Sequence, residues 1–406
     1  MSITRILALA AVVALATPAL EARAEAGVSE EFRNRLATAQ GRLAVNVLQQ
    51  LAATKKPMLV ISPASIAGAA ATLNLGASAP LRTSLHAVLG FHQDDDIPGD
   101  LAALQKTIVS LRAPAQPALP LKFANAIVFD DSVALYPGAA MALTQAGVDH
   151  SVANLQSPES AAAINKRVSD STAGLIPEIL DRAPAGASLL VLNAMHFKDR
   201  WKAPFDRANT HPAPFKRVSG APATVSTMQL PQGRHLFRQD ASFVGVELPY
   251  AQDRFSMVIV TTRGERAAPL RDFSNVGEWL TGKGFAPAQG ELALPHFDVS
   301  NGEDLTPALD QLGLRTARIA PGSLAGFTAD PARITRVVQR LELRLNEEGT
   351  QAAAATAAMA ERGVDKDYVR MVVDKPFMFA LRDSVTGLIL MAGYVGEPIA
   401  LATAAR

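Results

Sequence analysis

The sequence contains no cysteine, which excludes disulfide bonds, Cys-based zinc sites, iron–sulfur clusters, thiol nucleophiles and lipid anchors attached to cysteine. Aromatic residues are scarce, at 5% of the chain, so Ala, Val and Leu carry most of the 49% hydrophobic content. An excess of one charge is also absent, because 39 Lys and Arg residues balance 38 Asp and Glu residues. This balance gives no electrostatic reason to expect nucleic acid or an anionic membrane as a partner. The apolar content is too high for a disordered chain.

The motifs of common enzyme classes are missing as well. The chain has no G-x-x-x-x-G-K-[ST] phosphate loop, no H-E-x-x-H zinc motif and no G-x-S-x-G nucleophile turn. Its seven histidines are scattered, and the acidic run at residues 94–96 lacks the alternating ligands and central glycine of a calcium loop. We therefore expect no metal and no cofactor. A Ser-His-Asp site assembled from distant residues stays open, but no motif points to one.

The N-terminus has the layout of a signal peptide. Arg5 precedes an apolar run over residues 6–16, and residues 22–24 read Ala-Arg-Ala, the small-residue pattern of a cleavage site. The run is shorter than the roughly 20 apolar residues that a transmembrane helix needs. This pattern predicts a signal peptide over residues 1–24 and an exported, soluble protein, either periplasmic or extracellular. The alternative is an Ala-rich first helix of the folded domain.

Hydrophobic patterning predicts an α+β fold, with helices in the first half and antiparallel strands in the second. Helical spacing covers residues 30–51, and prolines at first-turn positions predict further helices from residues 63 and 158. At roughly 150 residues per domain, the length alone suggests two or three domains. Strands are predicted at residues 58–61, 123–129, 190–197, 243–248, 255–261, 291–297, 337–345, 369–373, 377–382 and 388–395.

One segment, residues 344–363, stands out for its small side chains. Its Ala-rich part favours a surface helix, because alanine is the best helix former. As a strand, the same segment would present one face made only of small residues, with the larger side chains on the other. The sequence pattern leaves helix and strand both open. The small alternating residues are Thr350, Ala352, Ala354, Thr356, Ala358 and Ala360.

Five stretches of the chain resemble the serpin family. Residues 346–356, Asn-Glu-Glu-Gly-Thr-Gln-Ala-Ala-Ala-Ala-Thr, resemble the hinge of an inhibitory reactive-centre loop. Residues 192–205 resemble the central strand-and-turn motif of that family. The order and spacing fit from about residue 29 to residue 399. The other three stretches, residues 61–67, 164–177 and 375–398, resemble the helix behind the main sheet, the helix that crosses it and the C-terminal hairpin.

The resemblance implies the serpin fold in a single domain over residues 25–406. Helices would pack around a large central β-sheet and smaller antiparallel sheets, and a reactive-centre loop would be exposed at about residues 347–367. The chain would be a monomeric inhibitor of serine proteases rather than an enzyme. The protease attacks the loop and forms an acyl-enzyme, and the cleaved loop then inserts into the main sheet and traps it. The alternative is a non-inhibitory serpin that acts as a chaperone or carrier.

The resemblance assigns roles to particular residues. The hinge would comprise Glu347, Glu348, Gly349, Thr350, Ala352, Ala353, Ala354, Ala355 and Thr356. The shutter and breach, which control opening of the sheet, would comprise Ser62, Ser65, Asn193, Trp201 and Gln339. Serpins usually carry a histidine at the position of Gln339, and glutamine forms hydrogen bonds but does not titrate. His196 stands where an aromatic residue is usual, and we expect it to be packed in the core.

Three peptide bonds are candidates for cleavage by the target protease. Arg362–Gly363 offers a clear target for a trypsin-like specificity pocket, and we favour it. Gly363–Val364 follows the usual family spacing from the hinge glycine. Met359–Ala360 would suit elastase- or subtilisin-like proteases.

Overall fold

The helices that begin at residues 30, 63 and 158 each follow a serine whose side chain caps them. The Ser29 Oγ accepts a hydrogen bond from the Phe32 N–H, and the Ser62 Oγ accepts one from the Ser65 N–H. The three predicted helices are confirmed. The computed structural model describes residues 29–91, 97–111, 119–182, 184–349 and 368–398. The helices in these ranges are α1 (Glu30–Leu51), α2 (Pro63–Asn74), α3 (Ala79–Leu89), α4 (Ile97–Ser110), α5 (Pro137–Gln145), α6 (Pro158–Ser171), α7 (Thr306–Leu309) and α8 (Arg315–Ile319).

Strands fill most of the chain after α6. They are β1 (Met58–Ile61), β2 (Leu121–Asp130), β3 (Asp149–Ala153), β4 (Leu189–Phe197), β5 (His211–Phe215), β6 (Ala223–Gln239), β7 (Phe243–Pro249), β8 (Phe255–Thr262), β9 (Ala286–Pro295), β10 (Phe297–Asp304), β11 (Ile334–Leu345), β12 (Val369–Val372), β13 (Phe377–Asp383) and β14 (Ile389–Val395).

The strand predictions are confirmed in position except at residues 291–297. There the single predicted strand is wrong, because His296 separates β9 from β10. The hydrophobic pattern also fails to predict β3, β5 and β6. Two prolines lie within β5, and a proline and a glycine interrupt the alternation of β6, so neither has the sequence character of a regular strand.

Two sheets organise the fold. The nine-stranded sheet has the order β1-β14-β13-β8-β7-β6-β9-β12, with β5 paired to β6, and the five-stranded sheet has the order β10-β11-β4-β2-β3. Most strand pairs are antiparallel as predicted, but β4 with β11, β9 with β12 and β2 with β3 are parallel. Parallel neighbours need long crossover connections. Accordingly, the connection from β4 to β11 passes through much of the nine-stranded sheet.

Each face of the five-stranded sheet is covered by a different layer. Leu190 and Leu192 of β4 point to the outer face, where they belong to one apolar cluster with Ile164 of α6. The alternate residues Val191 and Met195 point inward and join the main core of the molecule. Helix α6 therefore lies across the outer face of the sheet. None of the helices in the described part of the chain combines the length and apolar character needed to cross a bilayer.

Candidate functional site

The junction between β4 and β11 lies in the middle of the five-stranded sheet. The two strands pair in parallel from Leu189 beside Ile334 to Phe197 beside Leu343. Their other neighbours, β2 and β10, are antiparallel to them. A chain segment that turns back from the end of β11 would run antiparallel to both strands. Such a segment can form antiparallel ladders with both edges once β4 and β11 separate.

A tight turn at the end of β11 reverses the chain direction. The Asn346 N–H donates to the Gly349 carbonyl at 2.9 Å, and the Gly349 N–H donates to the Asn346 carbonyl at 3.2 Å. Gly349 has a φ of 121°, and a Cβ added there would lie 2.4 Å from the carbonyl oxygen of Asp199. Only glycine fits this position, because any side chain would be strained and would also collide with backbone.

Replacing Gly349 by Ala is expected to lower the melting temperature of the uncleaved protein. The combined cost of the backbone conformation and the steric collision is about 3 kcal/mol or more. Gly174→Ala is the matched control, because Gly174 also has a positive φ, 81°, but no atom lies within 4 Å of its added Cβ. Thermal melts of both variants separate the two contributions. Equal melting temperatures would contradict a steric role for Gly349.

Trp201 holds the turn over residues 346–349 in place. Its indole Nε1–H donates to the Asn346 carbonyl at 3.0 Å, and its backbone N–H donates to the Glu348 carbonyl at the same distance. The Phe205 N–H donates to the Glu347 carbonyl at 2.7 Å. The indole stacks on Tyr250 with ring centroids 4.4 Å apart. The structure therefore brings the predicted breach residue Trp201 into direct contact with the described part of the predicted hinge.

The side chains of Glu347 and Glu348, the two glutamates of the predicted hinge, are fixed by hydrogen bonds and ion pairs. The Thr210 hydroxyl donates to Glu347 Oε1 at 2.6 Å, and the Nε2 of His296 lies 3.0 Å from the same oxygen. Arg207 forms an ion pair with Glu348 at 2.6 Å. Burial by itself raises the pKa of Glu347. The Thr210 hydroxyl, the Glu347 backbone N–H and His296 together outweigh burial and lower the pKa below its usual value.

The lowered pKa of Glu347 predicts a loss of stability in acid. Because the folded pKa is below the unfolded one, the contribution of this carboxylate is complete above the unfolded value and is lost as the pH falls through the folded value. Melting temperatures measured from about pH 6 to about pH 3 should therefore fall more steeply in the wild type than in Glu347→Gln. Glu265→Gln, at an exposed position, is the control and should follow the wild type. Parallel curves for all three proteins would contradict this role.

The predicted shutter residues lie together at the centre of the β4–β11 junction. Gln339 of β11 is the register partner of Asn193 of β4, and its Oε1 accepts a hydrogen bond from the Ser62 N–H at 2.8 Å. Ser62, Ser65, Asn193 and Gln339 are all buried, with at most 1% exposure. Among the described residues, three buried atoms of this cluster have no hydrogen-bond partner: Gln339 Nε2, Asn193 Oδ1 and Ser65 Oγ. A buried polar atom that stays unpaired costs roughly 1–3 kcal/mol, so we expect the closed junction to be a local weak point.

Asn125 of β2 extends this polar row, and the sequence reasoning missed it. It is the register partner of Asn193, and its Oδ1 accepts a hydrogen bond from the Asn193 Nδ2. A Cβ added to Gly68 of α2 would lie 2.8 Å from the Asn125 Nδ2, so the amide is enclosed between sheet and helix. The sequence feature that could have revealed Asn125 is that it is the single asparagine in the apolar run of β2, because a buried amide in a strand needs a specific hydrogen-bond partner.

His196 is half-buried rather than packed in the core. It is the register partner of Lys122 and Glu342 in neighbouring strands, on the face of β4 opposite to Asn193. Burial lowers its pKa, and its Nδ1 is buried without a hydrogen-bond partner among the described residues. No group of three or more His, Asp or Glu side chains in the described ranges is arranged to hold a metal ion.

The remaining predicted positions lie outside the described residues. These positions are Thr350, Ala352, Ala353, Ala354, Ala355 and Thr356 of the hinge and the candidate bonds at Met359–Ala360, Arg362–Gly363 and Gly363–Val364.

Comparison with known proteins identifies the family. The family model described as Serpin (serine protease inhibitor) matches residues 38–398. The chain belongs to the serpin family. Leukocyte elastase inhibitor of Bos taurus is 30% identical over 359 residues, which are 84% of this chain and 93% of that protein. Iripin-8 of Ixodes ricinus is 27% identical over 374 residues, 89% of this chain and 93% of that protein.

Solved serpin structures share the fold of this serpin. The thermophilic serpin tengpin in its native state has a TM-score of 0.79 at 22% identity, covering 91% of this chain and 95% of the other. Arabidopsis AtSerpin1, in the native stressed conformation, has a TM-score of 0.77 at 24% identity, and the match covers 91% of this chain and 100% of the other. The serpin fold expected from the sequence is therefore confirmed.

Proposed function

We propose that this serpin is a suicide inhibitor of serine proteases, which it traps by inserting its cleaved loop between β4 and β11. The observation that carries the proposal is the parallel β4–β11 pair with the hinge turn at the end of β11. The turn over residues 346–349 reverses the chain direction, so a strand continued from it would run antiparallel to β11. It can therefore become the central strand of a six-stranded sheet without a change of topology.

The register of that inserted strand follows from the turn. Asn346 and Gly349 form an antiparallel bridge, and a strand that continued its register would have Thr350 opposite Leu345 and Thr356 opposite Gln339. The intervening small residues Ala352 and Ala354 fall opposite two further leucines, at positions 343 and 341. All four partners on β11 are buried, with about 1% exposure. In the inserted strand, the alternating small residues of the loop would therefore lie on the inner face of the sheet, where a large side chain would not fit.

Insertion would also complete the shutter. In this register, the hydroxyl of Thr356 would arrive between Gln339 and Asn193, whose Nε2 and Oδ1 have no hydrogen-bond partner among the described residues. A hydroxyl can accept a hydrogen bond from the first atom and donate one to the second. About a dozen new ladder bonds at ~1 kcal/mol each give roughly 10 kcal/mol, which is comparable to the folding stability of a typical protein. Insertion therefore has a large driving force.

The target would be a trypsin-like protease that cleaves Arg362–Gly363. This assignment rests on the single arginine at the end of the small-residue segment. The bovine relative is named as an inhibitor of leukocyte elastase, and Met359–Ala360 is the corresponding alternative here. We further propose that residues 1–24 are a signal peptide and that the exported domain, residues 25–406, acts as a monomer. The Ala-Arg-Ala pattern before Glu25 supports this export.

A denaturing gel tests the inhibitory function directly. The mature protein is mixed with trypsin or with subtilisin, and a covalent complex that survives SDS is the expected product. Arg362→Ala should abolish the trypsin complex, whereas Arg370→Ala, at an exposed position on β12, should leave it unchanged. Loop cleavage without any complex would overturn the proposal and favour a non-inhibitory serpin that acts as a chaperone or carrier.

A further inference from the structure

A cavity lies beside β1, the strand at one edge of the nine-stranded sheet. Its volume is about 520 Å³, within the roughly 300–1,000 Å³ that is typical of sites for small molecules. Side chains from four segments line it, within residues 52–59, 217–219, 269–270 and 394–397. We call this space the β1 cavity. Among the described residues, none that lines it belongs to the predicted hinge, shutter or breach, so it is a separate place on the molecule.

The floor of the β1 cavity is apolar. Leu59, Leu270 and Tyr394 line it and are at most 6% exposed. The Tyr394 hydroxyl donates to the Ala268 carbonyl at 3.0 Å, so the polar end of this side chain is engaged and its ring adds apolar surface. Val218 also lines the cavity and is 50% exposed. An apolar ligand would therefore be buried against a preformed surface and would cover Val218.

The solvent-exposed edge of the β1 cavity is positively charged. Arg217 forms an ion pair with Glu397 at 2.6 Å. Lys56 forms one with Glu303 at 2.5 Å. The third cation at this edge, Lys55, has no ion pair and no side-chain hydrogen bond with any residue in the described part of the chain. One positive charge is therefore left over beside an apolar floor, and a ligand with a single negative charge would neutralise it.

The backbone at Lys55 has an unusual conformation. Its φ is 54°, and Lys55 is one of three residues other than glycine with a positive φ in the described ranges. Its N–H donates to the Ala52 carbonyl at 3.1 Å, which closes the turn after α1. Glycine adopts this conformation without steric cost, so stability alone would favour glycine at this position. The lysine is therefore better explained by its charge than by a contribution to stability.

We propose that the β1 cavity binds a fatty acid, with its apolar chain on the floor and its carboxylate beside Lys55. The single unpaired cation matches a monoanion better than a phosphate monoester, which carries close to two negative charges. A purely polar anion would gain nothing from the apolar floor. This inference is independent of protease inhibition, because the lining of the cavity and the inhibitory site have no described residue in common.

Titration calorimetry with dodecanoate tests the class of ligand. We expect one dodecanoate to bind per protein molecule, with an affinity in the micromolar range. Decanoate should bind about tenfold more weakly, because it buries two fewer methylene groups. Dodecanol, which has the same chain length but no charge, should also bind about tenfold more weakly. No binding of dodecanoate, or equal binding of the acid and the alcohol, would overturn the inference.

A substitution of Lys55 tests the position of the carboxylate. Lys55→Gly should weaken dodecanoate binding about fivefold or more without lowering the melting temperature, because glycine suits the backbone at this position. A loss of affinity without a loss of stability separates binding from a structural role of the lysine. Lys106→Ala, at an exposed lysine of α4, is the control and should bind dodecanoate like the wild type.

A substitution of Val218 tests the position of the apolar chain. Val218→Asp should abolish dodecanoate binding, because it replaces an apolar contact with a charge that repels the carboxylate. Val152→Asp, at a valine of β3 that is 54% exposed, is the matched control and should bind like the wild type. Unchanged binding in both Lys55→Gly and Val218→Asp would place the fatty acid on another surface and overturn the inference. The denaturing gel with trypsin tests the proposed inhibition separately, so failure of one proposal is distinguishable from failure of the other.

Discussion

Thr350→Arg is expected to convert this serpin from an inhibitor into a substrate. In the proposed register Thr350 enters the sheet opposite Leu345, which is 1% exposed, so an arginine there would be buried without a partner. An increase of about 3 kcal/mol in the insertion barrier slows insertion roughly 100-fold, and the acyl-enzyme is hydrolysed first. Denaturing gels should show loop cleavage at the normal rate and almost no covalent complex.

Gln351→Arg is the matched control for this experiment. In the proposed register, position 351 would lie opposite Arg344, which is exposed on the outer face of β11, so a long charged side chain would remain in water there. The complex yield of Gln351→Arg should therefore stay close to that of the wild type. A wild-type yield of complex in both variants would contradict insertion in this register. Loss of complex in both variants would contradict the assignment of position 350 to the inner face and position 351 to the outer face of the sheet.

Cleavage of the loop is expected to raise the melting temperature by roughly 10 °C or more. The reason is the gain of about a dozen ladder hydrogen bonds, roughly 10 kcal/mol, divided by an unfolding entropy of about 2 cal/mol/K per residue. The protein is cleaved by a protease that it does not trap, and calorimetry compares it with the intact form. An unchanged melt would show that the cleaved loop stays outside the sheet.

The Thr350→Arg variant distinguishes insertion from other effects of cleavage. Cleavage should raise the melting temperature of Thr350→Arg clearly less than that of the wild type, because insertion of the variant loop buries an unpaired charge. An equal rise in melting temperature in both proteins would mean that cleavage stabilises the molecule without inserting residue 350 into the sheet.

Individual helices and strands could be predicted where local chemistry decides them. Helix α2 follows from Ser62 as cap and Pro63 in the first turn, and β1 follows from a short apolar run. The division between β9 and β10 could not be predicted, because a continuous apolar pattern conceals the interruption at His296. Strand β6 could not be predicted either, since its pairing with β9 and β7 overrides a proline and a glycine in its own sequence.

The polar residues of the shutter could also be predicted from the sequence only in part. Asn193 and Gln339 were found through the family resemblance, but Asn125 became visible only through its register with Asn193. Likewise, the contacts of Glu347 with Thr210 and His296 join residues distant in sequence, and no local pattern relates them. Side chains meet across strands according to register, and register is a property of the assembled sheet.

The sequence by itself determined the family, the small alternating residues from Thr350 to Thr356 and the need for a sheet held without disulfide bonds. The tertiary structure decided that β4 and β11 are parallel neighbours and that the hinge turn reverses the chain beside them. The physical reason is that small side chains are a local property of the chain, whereas the strand order that gives them a partner arises only when distant segments pair.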